Sequence, residues 1–178
     1  AGPIGIMLGL WARTAGAFRV ILCDIDPTKV EFARKQGFDA VNSRETDPVE
    51  YIRTPTGGRG ADACIEGAGV AQTWEQALKA VKSFGTVVSM GNPAGDMTLT
   101  QKGYWEILRK QLTLKGTWNS NYNDVRNEWR TALAAIASHR IDVRPLISHR
   151  FPLSEADKAF GVMRERKEFF NKVMFINR

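Results

Sequence analysis

The opening Ala1-Gly2-Pro3-Ile4-Gly5 holds the residues whose spacing points most directly to chemistry. Gly2 and Gly5 stand as the second and third glycines of G-x-G-x-x-G. Glycines let a backbone approach a pyrophosphate, and a helix beginning there supplies unpaired N–H groups and positive potential. Asp24 follows Gly5 by 19 residues, close to the spacing of about 20 that puts a carboxylate on an adenosine ribose. A carboxylate at that position repels a 2′-phosphate and so favours NAD over NADP. Arg19 and Lys29 are close enough in sequence to weaken that preference. The plainer alternative is a tight turn before a packed helix, with Asp24 merely ending a strand at the surface. Asp26 reads as a helix cap. Gly67-Ala68-Gly69 and Gly91-Asn92-Pro93 end two further expected strands, at the edge where open α/β sheets bind ligands. Simple chain reversal is the alternative for both.

No catalytic set is visible. His139 falls at an expected helix end and His149 in an extended basic stretch, neither with a partner at metal-ligand spacing. Cys23 and Cys64 lie inside expected strands and read as small core residues. There is no G-x-S-x-G and no H-E-x-x-H. The chain reads as able to bind a cofactor but, by itself, inactive.

The elements that must carry these residues alternate. Ile4, Leu8, Trp11 and Ala15 share one helical stripe, followed by a strand over Arg19–Asp24. Asp26-Pro27 opens a helix that Gly37 closes. A strand over Phe38–Asn42 and a helix from Asp47-Pro48 to near Pro55 come next. Ala61–Glu66 is a strand, Ala71–Phe84 a helix and Thr86–Met90 a strand. A helix over Tyr104–Lys110 precedes a strand over Leu112–Trp118. Asn123–His139 is expected as one long helix, Leu146–Leu153 as extended chain, and Ser154-Glu155-Ala156-Asp157 as a capping-box-like helix start. Lys172–Ile176 is the last strand. Such alternation with short connections is the pattern of an open parallel sheet. A glycine turn that opens a helix normally follows a strand, so the chain reads as cut within a motif, before its first strand.

At 178 residues, 43% hydrophobic and 25% charged, the chain can build a core and lacks a disordered composition. The longest apolar run, Ile4–Ala12, is far short of the roughly 20 residues a membrane helix needs. Two cysteines cannot make a disulfide framework, so a reducing, cytoplasmic setting is expected. The net charge of +6 is spread along the chain, and Arg164-Glu165-Arg166-Lys167-Glu168 is mixed in sign. That is a solvated helix end rather than a nucleic-acid stripe.

Several blocks together resemble the coenzyme domain of medium-chain, zinc-dependent alcohol and polyol dehydrogenases. They are Ala1–Gly5, Cys23–Lys29, Phe32–Gly37, Trp105–Trp118, Pro145–Leu153 and Asn171–Met174. Trp105–Trp118 is most similar to the branch containing galactitol-1-phosphate 5-dehydrogenase and sorbitol dehydrogenase. The resemblance implies a Rossmann-type doubly wound parallel sheet with helices on both faces, truncated before its first strand. Residues 1–118 would be the NAD-binding domain, and 119–178 a segment returning to a catalytic domain whose zinc ligands precede Ala1. Gly2, Pro3, Ile4 and Gly5 would face the pyrophosphate and Asp24 the adenosine ribose. Gly67 and Ala68 would lie beside the adenosine, Met90 and Gly91 near the nicotinamide riboside, and Thr117, Trp118 and Asn119 at the carboxamide. The implied activity is oxidation of a secondary alcohol of a sugar alcohol or its phosphate, with hydride passing to NAD. The implied partners are that small molecule and further copies of the chain in a dimer or tetramer, with neither nucleic acid nor membrane. A zinc-free reductase of the same superfamily, a nucleotide-binding module without catalysis and an S-adenosylmethionine-dependent methyltransferase remain as alternatives.

Overall fold

The computed structural model describes residues 1–177. Helix α1 (Pro3–Thr14) leads to β1 (Ile21–Asp24), α2 (Pro27–Lys35) and β2 (Asp39–Asn42). Helix α3 (Pro48–Arg53) precedes β3 (Ala61–Glu66), α4 (Ala71–Ala80) and β4 (Val81–Ser89). Then come α5 (Gln101–Arg109), β5 (Thr113–Gly116) and α6 (Glu128–Ala137). The chain closes with β6 (Ile147–Pro152), α7 (Ala156–Glu165) and β7 (Lys172–Ile176). Strands pair as β1–β2, β3–β4–β5 and β6–β7, every pair parallel. Parallel pairs joined through helices make this an α/β, Rossmann-like fold.

Two compact units form. One joins residues 1–42 to the chain from Asn121 onward, and the other is Ser43–Ser120. The first buries Ile6, Val30, Ala33, Phe38, Ala40 and Leu146. The second buries Ala77, Leu78, Val81 and Val87, with Trp74, Ile107 and Leu112 packed against them.

Local chemistry sets the boundaries. The Asp26 carboxylate accepts from the Thr28 N–H at 2.9 Å and starts α2, with Pro27 at the first helical position. Asp47 does the same for α3 through the Val49 N–H at 2.8 Å. Gly37, at φ +77°, turns the chain out of α2 in the left-handed region that glycine tolerates best.

The expected stripe of α1 is displaced. The helix buries Ile6 and Gly9, while Ile4 is 55% exposed. The contact is made by the smallest residue on the helix: a β-carbon at Gly9 would lie 2.6 Å from the Phe38 ring. A hydropathy pattern gives little weight to such a position. Helix α4 stops at Ala80 rather than Phe84. The Lys110 Nζ donates to the carbonyls of Leu78, Lys79 and Val81 at 3.0, 2.8 and 2.9 Å, and pairs with Glu106 at 2.8 Å. Val81 is already extended and pairs with Ala61. Helix α6 begins at Glu128 rather than Asn123. Asn123 Oδ1 accepts from the N–H groups of Val125 and Arg126, closing a local turn, and Asn127 caps the helix through the Arg130 N–H. The capping-box start at Ser154 does not form. A short 3-10 turn spans Leu153–Glu155, and α7 starts without a side-chain cap.

Lys110→Met keeps the aliphatic stem and removes the donors that close α4. The expected cost is about 2 kcal/mol, the scale of hydrogen bonding by a charged group. It should lower the melting temperature by roughly 4–8 °C for a chain of this size. Thermal unfolding followed by circular dichroism measures it, and an unchanged midpoint would contradict the capping role.

Candidate functional site

In the unit containing residues 1–42, the glycine turn and the strand-end acid are brought together. Gly2 is the N-cap of α1, with extended backbone and no side chain capping the helix, and Pro3 follows as its first residue. The early N–H groups are therefore not spent on a capping side chain. A β-carbon at Gly2 or Gly5 would meet nothing within 4 Å, so the space over this helix start is open. Asp24 ends β1, with its Oδ2 2.8 Å from the Ala1 amino group and its Oδ1 accepting from the Asp26 N–H at 3.0 Å. Arg19 is turned onto Asp39, with its Nε 2.8 Å from that carboxylate. Lys29 lies 4.0 Å from Asp26. Both cations near Asp24 in sequence thus have acidic neighbours of their own.

In the unit spanning Ser43–Ser120, the turns after β3 and β4 interlock. The Glu66 carbonyl accepts from the N–H groups of Met90 and Gly91 at 2.9 and 3.0 Å, and the Ala94 N–H donates to Gly69 O at 3.0 Å. Gly69 has φ +73°, and a β-carbon on it would collide with the Asn92 backbone. One on Gly91 would collide with the Gly69 backbone and come within 2.9 Å of Glu66 Oε2. Gly67, Ala68, Met90 and Gly91 are therefore neighbours, and a β-carbon on Gly67 would lie 3.0 Å from Met90 Cε. The Thr117 N–H donates to Ser89 O at 3.1 Å, which puts Thr117 beside the same strand end. Trp118 is 72% exposed and Asn119 is left-handed at φ 48°.

Sequence reasoning passed over Glu66, which ends β3 and is 3% exposed. Its Oε1 accepts from the N–H groups of Ala68 and Gly69 at 2.7 and 2.8 Å and from the Thr73 hydroxyl at 2.8 Å. The signal available was an acid closing a strand immediately before Gly-Ala-Gly.

Among the described residues, the other titratable groups form no reactive set. Burial pushes the Cys23 thiol up to about 11, leaving it a poor nucleophile near neutrality. His149 Nδ1 lies 2.9 Å from Ser148 Oγ, and its Nε2 is 3.7 Å from Glu168. Among the described residues, no three or more His, Cys, Asp or Glu side chains are grouped to hold a metal. None of their helices is long and apolar enough to cross a membrane.

The family model described as zinc-binding dehydrogenase matches residues 3–138. This chain belongs to that family. An alcohol dehydrogenase of Cupriavidus necator is 30% identical over 97% of the chain and 46% of its own length. The galactitol-1-phosphate dehydrogenase structure from Escherichia coli superposes with a TM-score of 0.82 at 27% identity, over 95% of this chain and 49% of that one. A zinc-binding dehydrogenase structure from Sinorhizobium meliloti, bound to NADP, is 32% identical with a TM-score of 0.80, over 99% and 50%. The chain thus spans about half the length of the relatives it matches, and those relatives are oxidoreductases.

The interlocked turns of this zinc-binding dehydrogenase chain leave no room for side chains. Gly69→Ala should cost about 2 kcal/mol or more, from a β-carbon at positive φ set against a carbonyl. Urea unfolding checks this, and a midpoint equal to wild type would contradict the close approach.

Proposed function

We propose that this chain is the cofactor-binding part of an NAD-dependent alcohol or polyol dehydrogenase. The observation that carries the reading is Asp24, set at the end of β1 against the start of the uncapped glycine helix. The open helix start suits a pyrophosphate, and the carboxylate suits a ribose diol. With Arg19 directed to Asp39, that cation is not turned toward Asp24, and the Asp24 carboxylate would repel a 2′-phosphate, which supports NAD over NADP.

In this reading residues 1–118 hold the cofactor and 119–178 return toward a catalytic domain. Gly2–Gly5 take the pyrophosphate, Gly67 and Ala68 the adenosine, and Met90 and Gly91 the nicotinamide riboside. Backbone at Thr117, Trp118 and Asn119 takes the carboxamide. A nicotinamide ring held there would supply the hydride acceptor for oxidising a carbinol to a ketone, with the hydroxyl proton released. The chain's contribution is orientation, holding the ring where the hydride arrives. Zinc belongs to the family's chemistry, and its ligands would lie outside these residues. Homology to the galactitol-1-phosphate enzyme favours a sugar alcohol or its phosphate as substrate, and the protein would assemble as a dimer or tetramer.

Titration with NADH, NADPH and S-adenosylmethionine, read by tryptophan fluorescence, tests the cofactor reading. Saturable NADH binding is expected, stronger than NADPH binding. Asp24→Ala should weaken NADH by about tenfold or more, the scale of a charged hydrogen-bonding group, and should narrow the preference over NADPH. A folded protein that binds S-adenosylmethionine instead, or no nucleotide, would overturn the reading.

A further inference from the structure

We propose that Glu66 is a positioning residue, which turns the Gly67–Gly69 turn into a neutral platform for the adenosine half of the cofactor. The inference rests on the cofactor reading above and deepens it. A turn with successive amides exposed at the end of a strand is an anion-binding nest. Here those amides point the other way. The Ala68 and Gly69 N–H groups both donate to Glu66 Oε1, which also receives the Thr73 hydroxyl. Three donors fix one oxygen of a carboxylate that is 3% exposed.

What the turn presents outward follows from this. Gly67 and Ala68 are exposed while Gly69 is buried. The exposed step is therefore a methyl group and glycine backbone, with the Ala68 and Gly69 donors consumed beneath it. Such a surface suits the face of a purine ring or ribose better than a phosphate, since the Ala68 and Gly69 N–H groups are already taken. The second carboxylate oxygen faces Gly91 across the interlocked turns, within 2.9 Å of where a β-carbon would stand. One buried side chain therefore sets the donor direction of the first turn and borders the second.

The test compares NADH, ADP-ribose and reduced nicotinamide mononucleotide as ligands of the full-length protein and of Glu66→Ala, Glu66→Gln and Thr73→Val. Glu66→Ala frees two amides and should weaken NADH and ADP-ribose by about tenfold or more. The mononucleotide, which lacks adenosine, should keep its affinity. Glu66→Gln retains a carbonyl acceptor and should restore NADH binding to within about threefold of wild type. Thr73→Val removes one of the three donors and should fall between, which keeps the test decisive if Glu66→Ala does not fold. Unchanged ADP-ribose binding in folded Glu66→Ala, or in Thr73→Val where that variant must stand in, would overturn the proposal. So would equal losses for ADP-ribose and the mononucleotide, the mark of general damage. Failure of the wild-type protein to bind any of the three would instead bring down the cofactor reading, and this role with it.

Discussion

A carboxylate removed from water must be given donors, because an unpaired buried charge costs several kcal/mol. Glu66 is in that position, and the donors it receives belong to the turn that follows it and to the first turn of α4. The requirement fixes where β3 ends, how the chain reverses and where α4 begins. The Glu66 carbonyl does the same for the next crossover by accepting from Met90 and Gly91. With both turns held, their backbones approach so closely that only glycine fits at positions 69 and 91. The strand-end edge of this unit is thus shaped by one residue's two acceptors.

The other unit reaches its candidate site differently. There the turn is left open, since Gly2 and Gly5 have nothing near them and α1 carries no capping side chain. An acid, Asp24, ends β1 beside this turn and accepts from the Asp26 N–H at 3.0 Å. One unit offers free donors beside a charge, and the other hides its donors beneath a neutral surface. Each character by itself suits one part of a dinucleotide, an anionic pyrophosphate or a flat, neutral adenosine. Membership of the zinc-binding dehydrogenases agrees with that chemistry without fixing the alcohol.

Much of this was legible in the sequence, for physical reasons. Strand β1 was visible as the apolar run Val20–Cys23, and α2 and α3 as Asp-Pro starts, because burial and capping leave local marks. β7 matches its expected span of Lys172–Ile176. What escaped depends on contacts distant in sequence. The end of α4 is set by Lys110, some 30 residues downstream, so propensity alone carried the helix on to Phe84. The face of α1 is set by the Phe38 ring on Gly9, and hydropathy spacing chose Ile4 and Leu8 instead. Asn127 looked like helix interior until its side chain was seen capping α6. Glu66 escaped for the opposite reason: a single charged letter at a strand end reads as surface, and only the fold shows it buried.

Amide hydrogen exchange at Ala68, Gly69, Met90 and Gly91, with and without NADH, bears most directly on these interlocked turns. If Glu66 holds them as described, all four amides are protected before any cofactor is added, and NADH changes them little. Exchange at open-loop rates in the free protein, with protection arising only on binding, would show that the cofactor rather than Glu66 builds the turns.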